Sequence, residues 1–167
     1  KTRKDKLEDV IEECVKRKGV LLIPTFSLER AQELLFEINT MRESNSIPVV
    51  PVLFDSPLAI KLTAVFKKYT SYFKKEVRDI IAQGEDIFMF PGLLSTPETE
   101  QSKMIVKIPA PKVIIAGSGM SSGGRILHHE KAYLPDTKSI ILLTGYQAIG
   151  SMGRAIQDGV KHVRIAG

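Results

Sequence analysis

One cysteine and no tryptophan occur in these 167 residues. A single thiol cannot close an internal disulfide, so nothing points to an oxidising, secreted setting. Cys14 falls beside Val10 and Ile11 on the apolar face of a predicted helix, where it reads as a buried structural thiol. No apolar run approaches the roughly 20 residues that a membrane span needs, and no signal-peptide pattern precedes the first helix. No membrane contact and a cytoplasmic setting are therefore expected. Histidine is also scarce, at three residues. His128 and His129 are adjacent, so on a helix they point in different directions, and His162 has no visible partner. No His/Asp/Cys cluster has zinc spacing. The standard phosphate signatures are missing too. No Gly-Lys-Ser/Thr closes a P-loop, and Gly117, Gly119 and Gly123 give G-x-G-x-x-x-G, one residue too long for the dinucleotide fingerprint. Gly117-Ser118-Gly119 is not a nucleophile elbow.

The sequence does hold the makings of an ordinary globular domain. Hydrophobic residues are 43% and charged residues 26%, and the length suits one domain with a core of its own. The net charge is +5, with pI about 9.3. That balance is compatible with a polyanionic partner, although charge alone favours a solvated lysine surface. The chain has no initiator Met, opens on a helix bearing Lys1, Arg3, Lys4 and Lys6, and stops at Gly167. Both ends read as cuts from a longer protein.

Hydrophobic spacing gives the element order. Residues 3 to 18 read as a helix, with Leu7, Val10, Ile11, Cys14 and Val15 inward. Val20 to Pro24 is a continuous apolar run, the pattern of a strand buried on both faces. Residues 28 to 42 form a helix with Leu28, Ala31, Leu34, Leu35, Ile38 and Met41 inward, and Pro48 to Phe54 a second strand. Ser56-Pro57 caps a helix lined by Leu58, Leu62, Val65, Phe66 and Tyr69. A helix from Tyr72 to Ala82 and a strand from Ile87 to Phe90 follow. Thr96-Pro97 repeats the cap signal for a helix to about Val106. Strands are expected at Lys112 to Ala116, Ile140 to Thr144 and Val160 to Ile165, with short helices at Gly124 to Leu134 and Ser151 to Gln157. This alternation predicts an α/β fold: a Rossmann-like, mostly parallel sheet with helices on both faces.

In such sheets ligands sit beyond the carboxyl ends of the strands. Four loops there should share one edge: residues 24–30, 55–59, 117–125 and 145–154. The third carries four glycines and three serines. Glycines let a backbone approach a ligand closely, free N–H groups at a helix start favour an anion, and Arg125 is suited to gripping phosphate with two parallel bonds. The loop reads as a phosphate cradle, or as a tight turn with capping serines. Ser118, Gly119, Ser121, Ser122 and Arg125 are the candidate phosphate contacts. Arg154 and Arg30 are weaker ones, Arg30 being also placed to pair with Glu29 or Glu33. Asp55 suits a metal, a ribose or a helix start. Phe26 and Tyr146 sit where a base would stack, or where core packing would hold them.

Taken together, the four loops resemble those of β-CASP domains. The matching segments are Leu22-Ile-Pro-Thr-Phe-Ser-Leu-Glu-Arg-Ala-Gln-Glu-Leu34, Asp55-Ser-Pro-Leu-Ala-Ile60, Ile115-Ala-Gly-Ser-Gly-Met-Ser-Ser-Gly-Gly-Arg-Ile-Leu-His-His129 and Leu143-Thr-Gly-Tyr-Gln-Ala-Ile-Gly-Ser-Met-Gly-Arg154. They span essentially the whole chain, in order. The resemblance implies a single β-CASP domain over residues 1–167, an insertion in a metallo-β-lactamase-fold parent that hydrolyses RNA with two zinc ions. The domain would act as a lid, with single-stranded RNA entering the cleft between it and the parent domain. The zinc ligands would lie outside this segment, leaving the segment itself inactive and without a cofactor. Some positions depart from the family pattern. Ser27 and Glu29 stand where Ala and Gly are usual, Ser121-Ser122 where Cys-Asn is, and Ile149 where Glu is frequent. A nucleotide-binding Rossmann-like module and a non-catalytic scaffold docking protein partners are the alternatives, and homo-oligomerisation is compatible with each.

Overall fold

A computed structural model describes residues 1–165. Five strands form one parallel sheet: β1 (Val20–Pro24), β2 (Val52–Asp55), β3 (Leu93–Ser95), β4 (Lys112–Ala116) and β5 (Ile140–Ile141), in the order β3-β2-β4-β1-β5. Seven α-helices are interleaved: α1 (Arg3–Arg17), α2 (Arg30–Glu43), α3 (Pro57–Lys68), α4 (Lys75–Ala82), α5 (Thr99–Met104), α6 (Ile126–Tyr133) and α7 (Met152–Gln157).

The central strands β1, β2 and β4 are buried along their whole length, as their uninterrupted apolar runs require. Alternate side chains then serve two cores. Leu21, Ile23, Val52, Phe54, Val113 and Ile115 pack with α1 and α2 on one face. Val20, Leu22, Leu53, Ile114 and Ala116 pack with Ile105 and the α6 residue Ile126 on the other. Cys14 is fully buried in the first core. Lys112, at the start of β4, is buried and donates to the carbonyls of Ile105 (2.9 Å) and Ile108 (2.7 Å) and to the Tyr133 hydroxyl (2.7 Å). Three acceptors make its burial tolerable, and they tie β4 to the second layer.

Several expected boundaries shift for identifiable reasons. The second strand begins at Val52 rather than Pro48, because Pro48 and Pro51 cannot donate to a ladder. Residues 87–90 form a turn, not a strand. Ile87, Phe88 and Phe90 are apolar because they plug the first core, and the strand follows at Leu93. Thr96 caps nothing; α5 is capped two residues later by Glu98, whose side chain and that of Gln101 form a reciprocal cap. Helix α4 opens at Lys75, after a single 3-10 turn over Thr70–Tyr72. On α3 the inward face is Ala59, Ile60, Thr63 and Phe66, whereas Leu58, Val65 and Tyr69 are exposed. Leu28 is also exposed. Strand β5 pairs only through Ile140 and Ile141, and residues 160–165 form no strand.

Candidate nucleic-acid interface

Parallel pairing brings every carboxyl end to one edge. Pro24 and Asp55 are both in register with Ala116, and Ser95 with Phe54. The chain leaves β1 through α2 on the first face and β4 through α6 on the second. Two adjacent strands whose connections part to opposite faces make a topological switch point, where open α/β sheets bind ligands. The loops of residues 24–30 and 117–125 flank it.

Phe26 fills this crevice. A methyl group on Gly119 would lie 2.7 Å from Phe26 Cδ2, and one on Gly145 would lie 3.1 Å from Phe26 Cε2. Both positions therefore let backbone press against the ring, joining the first, third and fourth loops. Phe26 keeps 38% of its surface exposed, so the ring serves packing and still reaches solvent. Gln147, buried, extends the join by donating to the carbonyls of Gly119 (3.0 Å) and Gly145 (3.1 Å), and Gly153 N–H donates to the Met120 carbonyl.

The Gly/Ser loop is a polar turn wound around the Ser118 hydroxyl. Its oxygen accepts from Ser122 N–H (3.0 Å) and Gly123 N–H (3.1 Å) and lies 3.3 Å from the Ser122 hydroxyl. The capping-serine reading is thus realised, and it leaves the cradle reading intact. The hydroxyls of Ser118 and Ser122 remain at the surface. Among the described residues the N–H groups of Gly124 and Arg125, just before α6, donate to no protein acceptor. They border a cleft of about 420 Å³ lined also by Ser27, Ser56, Pro57 and Ser118. The start of α3, capped by Ser56 Oγ accepting from Ala59 N–H, opens on the same cleft. Two helix N-termini and surface hydroxyls therefore converge where an anion would be stabilised. Ser121 differs from its neighbours. It is buried, takes φ of +54° and gives its hydroxyl to Glu130.

Arg125 does not present a free fork. Its guanidinium turns inward to Asp55 Oδ1 (2.8 Å), the Pro97 carbonyl (2.9 Å) and the Thr96 carbonyl, with its side chain only 17% exposed. The two-bond grip on phosphate expected from the sequence is replaced by a grip on the domain itself. Asp55, fully buried, is the hub of this cluster. It also accepts from Thr96 Oγ1 (2.7 Å) and Ser102 Oγ (2.7 Å) and faces His129 Nε2 at 2.6 Å. Burial works to raise its pKa, but the bonds from His129, Ser102 and Thr96 outweigh burial and hold it at about 2. A carboxylate with both oxygens so occupied is neither a metal ligand nor a ribose acceptor. Its work is to fasten β2, the segment after β3, α5 and α6 beneath the cleft.

The remaining candidates do not line that cleft. Arg30 pairs with Glu33 (3.0 Å), and Arg154 pairs with Asp158 (3.1 Å) across one helical turn. Tyr146 is 71% exposed beside Gly145. His128 and His162 are exposed, whereas His129 is buried in the Asp55 cluster. Glu29 centres a γ-turn, with φ +64°, ψ −58° and Arg30 N–H donating to the Leu28 carbonyl at 2.8 Å; that conformation is rare and strained for a side-chain-bearing residue. A glycine here would take the turn without strain. Sequence reasoning missed Glu130 and Gln147, because an isolated Glu or Gln on a short helix or in a loop carries no periodic signal. It also missed the Asp55–His129 pair, formed across 74 residues of chain.

Among the described residues no group of three or more His, Cys, Asp or Glu is placed to hold a metal ion, and no helix is long and apolar enough to cross a membrane. The family model for the Beta-Casp domain matches residues 31–156. Ribonuclease TTHA0252 of Thermus thermophilus is 38% identical over 95% of this chain and 36% of its own length. Transcription termination factor FttA of Methanosarcina mazei is 32% identical over 96% of this chain and 25% of its own. An RNase J-like protein of Methanocaldococcus jannaschii is 32% identical over 98% of this chain and 37% of its own. The chain thus spans a quarter to somewhat over a third of the relatives it matches.

Proposed function

This chain belongs to the β-CASP family, and from that premise we propose that it is the RNA-binding lid of a larger zinc-dependent phosphodiester hydrolase. One observation carries the reading. The starts of α3 and α6 and the hydroxyl of Ser118 converge on a single cleft at the carboxyl edge of the sheet, with the Ser122 hydroxyl 3.3 Å from that of Ser118. A phosphodiester there gains N–H and hydroxyl donors and favourable helix dipoles without any cation having to be freed. Single-stranded RNA suits the site because successive phosphates are accessible and exposed rings such as Tyr146 are available for stacking. Arg125 contributes its backbone N–H and the fixed position of its loop; Arg30 and Arg154 are held in ion pairs with Glu33 and Asp158 and would have to exchange them to reach a phosphate. The names of the relatives, a ribonuclease and an RNase J-like protein among them, support an RNA substrate.

The zinc ions implied by the family do not fit the residues described here. Asp55 is saturated by four donors, His129 spends its Nε2 on Asp55, and no ligand cluster exists among the described residues. Hydrolysis therefore belongs to the metallo-β-lactamase portion of the enzyme, against which this lid closes. The lid binds and orients the strand and has no bond-breaking group of its own. The test is cleavage of a labelled single-stranded RNA by the intact enzyme. Chelation should abolish cleavage and added zinc restore it, while this segment alone should leave the RNA whole. An intact enzyme that takes up zinc and still leaves RNA uncut would refute the assignment.

A further inference from the structure

Glu130 is buried as completely as any core residue, yet its carboxyl is only half satisfied. One oxygen accepts the hydroxyl of Ser121, and the other has no partner among the described residues. Burial raises its pKa to about 6, against the opposing pull of the Ser121 bond. A position serving packing alone would be better filled by leucine, because a buried carboxyl lacking a partner costs stability. The gain must come from what Ser121 holds. Ser121 is the one buried residue among the loop's serines, at a left-handed φ that L-residues seldom adopt. Its N–H closes the turn on the Ser118 carbonyl (3.2 Å). On either side stand the Met120 carbonyl, which receives Gly153 of the fourth loop, and Ser122, whose N–H donates to the Ser118 hydroxyl. One anchoring bond under Ser121 thus fixes both surface hydroxyls of the loop, that of Ser118 lining the cleft. Serine suits this position because the carboxyl below needs a strong donor.

We propose that Glu130 is a positioning residue for RNA binding, acting through Ser121 to hold the Gly/Ser loop in its phosphate-accepting shape. The proposal rests on the assignment of that loop as the phosphate site. Glu130 touches no substrate; it sets where Ser118 and Ser122 stand.

The probe is a short 5′-phosphorylated single-stranded oligouridylate titrated into this chain. Glu130→Ala and Ser121→Ala should each weaken binding about tenfold or more, with thermal melts confirming the fold. The double variant should bind no worse than the weaker single one, because both remove the same bond. Glu130→Gln should recover most of the affinity, since its amide oxygen still accepts the hydroxyl. Independently of RNA, hydrogen exchange at the Ser122 and Gly123 amides should quicken in Glu130→Ala and return toward the wild-type rate in Glu130→Gln. If Glu130→Ala does not fold, Ser121→Ala and Glu130→Gln carry the same comparison. Ser118→Asp, which puts a negative charge in the cleft, is the control for the reading itself. If Glu130→Ala and Ser121→Ala bind as wild type while Ser118→Asp abolishes binding, the positioning role is overturned and the phosphate site stands. If the wild type does not bind, or Ser118→Asp has no effect, the phosphate site fails and the proposal falls with it.

Discussion

Replacing Asp55 should be the most destabilising polar substitution in this domain. In Asp55→Ala four donors lose their acceptor at once: Thr96 Oγ1, Ser102 Oγ, Arg125 Nη1 and His129 Nε2. Arg125, largely buried, keeps only the carbonyls of Thr96 and Pro97. Stranding a buried charge in this way costs about 3–5 kcal/mol. At roughly 2–4 °C per kcal/mol for a domain of this size, the melting temperature should fall by about 6–20 °C. Asp55→Asn separates charge from shape. Holding the carboxyl at about 2 instead of 3.8 corresponds to about 2 kcal/mol of stability. Because the folded pKa lies below the unfolded one, that stability is fully present above about pH 4 and is lost as pH falls from there toward 2. Denaturant unfolding of the three proteins between pH 3 and 7 is the assay. Asp55→Asn should lose about 2 kcal/mol at pH 7, and its stability should fall less steeply than the wild type's between pH 4 and 3. A loss under about 1 kcal/mol in Asp55→Ala, or an acid limb unchanged in Asp55→Asn, would refute the hub.

Two further substitutions test the edge of the sheet. Glu29→Gly should raise stability by up to about 1 kcal/mol, as glycine takes the γ-turn without strain; a drop in the denaturation midpoint would show that the turn is not strained. Gly119→Ala should cost about 1–3 kcal/mol, because three atoms of the Phe26 ring lie within 2.8 Å of the new methyl. The cost should shrink on a Phe26→Ala background, and strict additivity of the two changes would rule out the contact.

How much of this was legible beforehand differs by element. The three central strands announce themselves, since burial on both faces leaves an uninterrupted apolar run, and so do α1 and the Ser56-Pro57 cap of α3. The run at residues 87–90 misleads because a core-filling turn and a buried strand use the same residue types; only Gly92, with φ +93°, marks where the ladder resumes. On α3 the inward face mixes Thr63 with Ala59 and Phe66, so a stripe of large side chains places Phe66 correctly but takes in the exposed Leu58, Val65 and Tyr69. The shared edge of the four loops was readable, because parallel order alone puts them there. The inward turn of Arg125 was not, because its partners Asp55, Thr96 and Pro97 are 28–70 residues away in sequence and no local pattern encodes that meeting. The same holds for Glu130, one of whose oxygens has no hydrogen-bond partner among the described residues.

The central claim is that the Gly/Ser cleft takes RNA phosphate, and a salt series tests it most directly. Affinity of this chain for a 5′-phosphorylated single-stranded RNA is measured from low to moderate salt, beside Ser118→Asp. Wild-type affinity should have a logarithm that falls linearly with the logarithm of salt. In Ser118→Asp the new carboxylate can still accept from the Ser122 and Gly123 amides but repels phosphate, so affinity should drop at least tenfold with a shallower slope. Wild-type binding that ignores salt, or a variant that binds as well as the wild type with the same slope, would contradict it.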